Sequence, residues 1–278
     1  MPQLENLEIS FTFPIPNRDV ERQLTHTPIT THITLPNLRL FVFRGVSAYL
    51  ESVVCRITTP RLERLDIVLF KQLTFCVPGL VQFMNTTENL RFDNAAIMFR
   101  DEQIDVVMYF HGANTYAFFV CVDCRQLDWQ VSSAVQICNA LSQAFSAVEH
   151  LTLRHEVHSQ SFEEHNDINR IEWRKLLGSF RNVKTLEVED GLVEQVSRCL
   201  RLEDGELLLE LLPELQELKH DGSRDAGVAF TPFIDARQKA GRPVILFYGD
   251  PTSSAPESSS KAPAITSASG KVENDTEA

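Results

Sequence analysis

The stretch LPNLRLFVFRGVSAYLESVVCRITTPRLERLDIVLFKQLTF, Leu35 to Phe75, states one phrase twice: an apolar residue followed three and five positions later by two more, at Leu38-Phe41-Phe43 and again at Leu62-Leu65-Ile67. Apolar residues two apart put both side chains on one face of a strand. A phrase that returns after 24 residues, from Leu38 to Leu62, is the strand signature of a leucine-rich repeat.

Outward from this pair the phrase recurs at Leu4-Leu7-Ile9, Val148-Leu151-Leu153 and Val183-Leu186-Val188, with weaker copies at Leu90-Phe92 and Leu215-Leu218. The spacing is irregular: Leu62 to Thr87, where the Leu90 copy would begin, is 25 residues, and Val148 to Val183 is 35. The 61 residues from Thr87 to Val148 are too long for one unit. The segment YAFFVCVDCRQLDW, Tyr116 to Trp129, has the β-branched and aromatic content of a strand, so the missing repeat is assigned there.

Between the strands the apolar spacing becomes helical, most clearly at Val131, Ala134, Val135, Cys138, Leu141, Phe145 and Val148. Ser133 with Gln136 reads as a capping box for that helix, and Asn169 with Glu172 as another, stopped by Gly178. Asp204 opens a short helix closed before Pro213. Thr231 as cap, Pro232 at the first helical position and Gly241 past the last define a further helix, which leads into a strand at Val244 to Tyr248. Ser10–Thr34, Arg154–Asn169 and Lys219–Val228 read as surface loops.

Strand and helix alternate throughout, which predicts an α/β chain with a parallel sheet. The recurring triplet further predicts an irregular leucine-rich-repeat-like right-handed solenoid over residues 1–249, with parallel strands on the concave face and helices outside. A doubly wound α/β domain shares the alternation but does not need the same triplet to return. The first strand starts without a cap, so the solenoid is expected to be truncated at its N-terminal end. Residues 250–278, rich in Ser, Ala and Pro, have little to bury and are expected to be a disordered tail.

Composition narrows the function. With 278 residues and 43% hydrophobic content the chain can bury a substantial core. Its net charge of −12 disfavours nucleic acid, because affinity for phosphate backbones rests on Lys and Arg. No window approaches the roughly 18 apolar residues of a membrane span, and no apolar leader follows Met1, so a cytoplasmic or nuclear location without membrane contact is expected. The cysteines Cys55, Cys76, Cys121, Cys124, Cys138 and Cys199 sit mostly among apolar neighbours, as reduced buried thiols do.

Three stretches of the chain and a set of known motifs bear on catalytic chemistry. Cys121-Val122-Asp123-Cys124 is half of a zinc site, but the second half is missing and an apolar strand makes a poor knuckle. As a redox pair it would need a helix N-terminus to lower a thiol pKa. His155-Glu156-Val157-His158 has its histidines three apart where the zinc-protease motif needs four. Glu163, Glu164 and Asp167 read as a solvated turn, not as a carboxylate pair with separated pKa values. There is no G-x-S-x-G elbow, P-loop or G-x-G-x-x-G turn. The expectation is therefore a non-enzyme with no cofactor and no metal.

What remains is the strand face. The apolar members of each triplet point inward, so the residues between and after them point to the concave side. By that rule Arg44, Arg64, Asp66, Arg91, Asp93, Arg154, Glu187 and Glu189 form the candidate partner-binding set, positive in the earlier strands and acidic in the last.

The quoted stretch from Leu35 to Phe75 resembles the leucine-rich-repeat region of fungal, chiefly mushroom-type, F-box proteins. The phrases LVQFMNTTENLRF (Leu80 to Phe92), LLPELQEL (Leu211 to Leu218) and FTPFIDARQKAGRPV (Phe230 to Val244) extend the likeness over most of the chain. In that family an N-terminal F-box docks on the adaptor of a cullin-based ubiquitin ligase while the repeats choose the substrate. The resemblance thus implies a protein–protein interaction module that selects ligase substrates. Its partner would be a protein of unknown identity, joined by the ligase adaptor only if an F-box lies upstream, because this chain begins inside a repeat strand. The alternatives are a truncated repeat scaffold with no ligase role and a Cys-dependent metal or redox protein.

Overall fold

The computed structural model describes residues 3–11, 31–70, 75–87, 89–90, 92–110, 115–124, 126–156, 168–201, 211–221 and 227–248. The second and third members of each strong triplet lie in strands: β1 (Asn6–Ser10), β3 (Leu40–Gly45), β5 (Arg64–Leu69), β9 (His150–Glu156) and β10 (Thr185–Glu189). They belong to one ten-stranded sheet with β6 (Asn94–Arg100), β7 (Gln103–Tyr109), β8 (Tyr116–Asp123), β11 (Glu217–Asp221) and β12 (Ile245–Tyr248), in the order β1-β3-β5-β8-β7-β6-β9-β10-β11-β12. Only the pairings of β7 are antiparallel, so the chain is α/β with a mostly parallel sheet. The short β2 (Ile33–Thr34) and β4 (Ile57–Thr58) pair separately.

Register carries the triplets through the sheet: Leu7 faces Phe41 and Phe41 faces Leu65, while Leu151 faces Leu186 and Leu186 faces Leu218. A backbone device at the starts of β3, β5, β9, β10 and β11 sets it. The carbonyl of Glu5 accepts the N–H groups of both Arg39 and Leu40, at 2.8 and 3.1 Å, and the carbonyl of Arg39 accepts those of Glu63 and Arg64. The carbonyls of Asp93, Glu149 and Lys184 each accept two N–H groups from the next strand start in the same way.

The sheet departs from the sequence pattern in two places. First, the long gap holds three strands where one was expected. After β5 and helix α2 (Pro78–Thr86, following α1 at Ser47–Val54), the chain enters β6 three places away from β5; β7 runs back antiparallel, and β8 fills the place beside β5. Tyr116–Trp129 is strand only as far as Asp123. Second, the weak copy at Leu90-Phe92 is out of phase by five residues. The turn before it forms as elsewhere, with Leu90 N–H donating to the Thr87 carbonyl, but the buried series then runs Phe92, Ala95, Ile97 and aligns with Val148, Leu151, Leu153.

The helices α3 (Leu127–Ala140), α4 (Ser142–Phe145), α5 (Ile168–Gly178), α6 (Val193–Leu200) and α7 (Thr231–Lys239) share one core with the triplet face. Helix α3 starts six residues before the expected cap at Ser133. Buried Gln130 explains the early start, since its side-chain Nε2 donates to the carbonyls of Arg100 (2.6 Å) and Cys124 (2.9 Å) and ties the first turn to two strand ends. Gln136 is no cap partner; its Oε1 accepts the Phe75 N–H at 2.8 Å. Helix α5 likewise starts at Ile168, so Asn169 lies within it. Helix α7 has Pro232 in its first turn and ends as predicted: Gly241 takes φ +74° and Arg242 N–H donates to the Arg237 carbonyl. The expected loops start later than their sequences suggested, because β9 runs to Glu156 and β11 to Asp221. The helix expected at Asp204 and the tail 250–278 lie outside the described residues.

Leu65 is fully buried in β5, between β3 and β8. Leu65→Ala should therefore cost about 2–5 kcal/mol in urea unfolding. A loss below about 0.5 kcal/mol would put this side chain at the surface.

Candidate functional site

The strand residues that alternate with the core form the other face of the sheet. Val42, Asp66, Phe119, Val107, Ala96, Thr152, Glu187 and Lys219 stand side by side across it in one row. Arg44, Val68, Cys121, Asp105, Met98 and Arg154 form the next. Two polar clusters stand on this face, one on each side of the β7–β8 boundary.

In the first, Arg64 Nε donates to both carboxylate oxygens of Asp66, at 2.9 and 3.1 Å, and Nη2 donates to Asp66 Oδ2 at 2.7 Å. The guanidinium carbon also lies 4.0 Å from the Tyr116 ring centroid, and Nη2 hydrogen-bonds the Tyr116 hydroxyl. The bonds to Asp66 raise the Arg64 pKa, so its charge is permanent. Burial raises that of Tyr116, and the adjacent Asp66 adds to it. The Tyr116 ring packs against Phe119, 5.7 Å between centroids. Arg64 is thus held against an aromatic surface, with half-buried Leu40 and Val42 on the neighbouring strand β3 and Val68 on its own strand.

The second cluster centres on Asp105, which is 1% exposed. Gln103 Nε2 donates to both its oxygens, and Arg100 Nε lies 3.2 Å from Asp105 and 3.1 Å from Glu156. Burial raises the Asp105 pKa, with Arg100 opposing. The Cys121 thiol beside it is driven far up, first by burial and then by Asp105.

Arg44, Arg64 and Asp66 come together on adjacent strands of this face, while Arg154, Glu187 and Glu189 stand on β9 and β10. Glu189 turns back to its neighbour, and Oε2 accepts the His155 N–H at 2.6 Å. Asp93 is a correction: it precedes β6, supplies the strand-start carbonyl and accepts from Asn94 Nδ2 at 2.7 Å, so it does not share the row of Asp66. The five-residue shift of this unit is the reason. Arg91, His158, Glu163, Glu164 and Asp167 lie outside the described residues. Tyr116, Phe119, Asp105 and Arg100 were missed because the sequence does not show which strand neighbours which; the only sign was an aspartate inside the apolar run of Ile104 to Val107.

Cys121 and Cys124 sit on opposite sides of the sheet: Cys121 in the row with Asp105, Cys124 in the core shared with the helices. Burial raises the Cys124 pKa to about 11, so neither sulfur is a thiolate near neutral pH. Among the described residues no group of three His, Cys, Asp or Glu is placed to hold a metal, and no helix is long and apolar enough to cross a membrane. Of the cysteines expected to be mostly buried, Cys121, Cys124, Cys138 and Cys199 are buried, while Cys55 and Cys76 are exposed. Comparison with protein-family models, curated proteins and solved structures gives no match.

Two outcomes follow. Native protein should lose Cys55 and Cys76 to a thiol reagent before any other cysteine, with Cys121, Cys124, Cys138 and Cys199 reacting only on unfolding; early labelling of Cys121 would contradict its burial. The second concerns pH. The raised pKa means that the folded chain keeps the Asp105 proton above 3.8, the ordinary value at which the unfolded chain loses it. The folded state then binds more protons across that interval, and this group's contribution to stability falls as pH rises through it. Asp105→Asn should gain stability relative to the parent protein when urea midpoints are compared from about pH 4 to about pH 7. A difference independent of pH would mean that Asp105 titrates normally.

Proposed function

We propose that the chain is a leucine-rich-repeat-like right-handed solenoid, and that its open sheet face is the concave surface on which a protein partner binds. The observation that carries this reading is the Arg64–Asp66–Tyr116 cluster beside Phe119. Arg and Tyr supply much of the energy at protein interfaces, and a guanidinium already held against a ring loses little freedom when a partner arrives. Shared strand-start carbonyls and triplets in register support the stacked-unit reading. A row of side chains projecting from one sheet suits recognition of an extended surface better than transformation of a small molecule.

By its resemblance to fungal F-box proteins, we further propose that the partner is a substrate of a cullin-based ubiquitin ligase and that the protein acts in the cytoplasm or nucleus without catalysis of its own. The ligase part is tested separately: the adaptor should co-purify with the protein expressed from its native gene, and its absence would leave a scaffold outside the ligase.

The interaction surface is tested by comparing the proteins captured by the parent chain, by Arg64→Glu with Tyr116→Ala, and by Lys175→Glu on the outer surface of α5. The open-face pair should lose specific partners that Lys175→Glu retains, at matched melting temperature. If both variants capture what the parent captures, the face is not the binding surface.

A further inference from the structure

The arginines of the open face are matched unequally. Arg64 is tied to Asp66 and Tyr116, and Arg100 lies between Asp105 and Glu156. Arg154 is exposed, as an unmatched cation ordinarily is. Arg44 is different. It is half-buried on β3, with Val42 two residues before it and Val68 opposite. Among the described residues nothing accepts a hydrogen bond from its guanidinium, and its Nε is shut off from water. A shielded donor without an acceptor is costly, because it has given up water and gained nothing. Asp66, one row away, is already taken by Arg64, and Glu8, in the row of Val42 on β1, is exposed and makes no ion pair with Arg44.

We propose that Arg44 is a specificity-determining residue of the open face and takes one Asp or Glu carboxylate from the protein partner. The inference rests on the reading of this face as the binding surface and adds the chemistry of one contact. A guanidinium is a planar fork of donors that fits a carboxylate through two parallel hydrogen bonds. Arg64 has its Nε and Nη2 committed within the chain, whereas Arg44 has both edges of the fork uncommitted. An outward turn of the Arg44 side chain brings the shielded Nε to the carboxylate together with Nη2. Val42 and Val68 on either side then keep water from the pair and strengthen it. A phosphate backbone needs a series of cations, and a phosphorylated side chain is ordinarily held by a cluster of arginines. Around Arg44 stand valines, Ser10 and acids, so a single carboxylate is the better match. Leu40 pairs with Arg64, and Arg44 lies four residues along β3 from Leu40. The two arginines are therefore rooted about 14 Å apart, close enough for one partner segment to reach both.

The test selects binders to the full chain from a displayed library of short random peptides. Peptides enriched on the parent protein should share one acidic position. They should bind Arg44→Gln about tenfold more weakly at an unchanged melting temperature. They should bind Arg44→Glu only after that acidic position is changed to Lys. A shared position that is basic overturns the proposal. So do peptides that lose binding with Tyr116→Ala yet bind Arg44→Gln as they bind the parent; that result removes Arg44 and leaves the open face as the binding surface. A library that yields no binder, or binders indifferent to both Tyr116→Ala and Arg44→Gln, overturns the two readings together.

Discussion

One carbonyl oxygen that accepts two N–H groups from the next strand start fixes the height of each unit against its neighbour. Glu5, Arg39, Asp93, Glu149 and Lys184 each supply such an oxygen. Because side chains alternate with a period of two, a slip of one residue would turn Phe41, Leu65 and Leu186 out of the core and bring Arg64 and Glu187 into it. The core and the open face are therefore consequences of the same hydrogen bonds. These acceptors are main-chain groups, so the ladder is independent of the side chains at these positions, which are charged and form ion pairs such as Arg39 with Glu63 and Lys184 with Glu149. The sequence therefore shows the triplets clearly and the ladder not at all.

The meander β6-β7-β8 departs from that rule without breaking it. Its first strand inherits the ladder through Asp93, whose carbonyl serves Glu149 and His150, so β9 pairs with β6 as though the two hairpin strands were absent. The hairpin then fills the space back to β5. The consequence is a polar cluster where a regular array would have had none: Asp105, on the antiparallel strand, faces Met98 on one side and Cys121 on the other. A carboxylate at 1% exposure is costly unless satisfied, and Gln103 and Arg100 are the groups that satisfy it.

How much of this was legible in the sequence depends on whether the determining contacts are local. Triplets, the alternation of strand and helix, and the end of α7 at Gly241 depend on neighbours within a few residues and were readable. The order of β8, β7 and β6 depends on which strand closes beside β5, and no local pattern encodes that. Helix α3 shows the same conflict: Ser133 and Gln136 satisfy a capping rule by spacing, yet Gln130 sets the start by reaching two carbonyls on distant strands. For the site, Arg44, Arg64 and Asp66 followed from alternation alone. Tyr116, which orients Arg64, is 52 residues away and could be found only once β8 was placed beside β5.

The geometry of Arg64 also limits what the proposed interface would recognise. Its Nε and Nη2 are committed to Asp66 and Tyr116, so the fork that grips a carboxylate through two parallel hydrogen bonds is already occupied within the chain. What it offers outward is the remaining edge of the guanidinium, a charge partly neutralised by Asp66 and the apolar surface of Phe119, Val42 and Val68. A partner selected here would be chosen by shape and apolar contact around one polar anchor, not by net charge. That accords with a chain whose overall charge of −12 would otherwise favour basic partners indiscriminately.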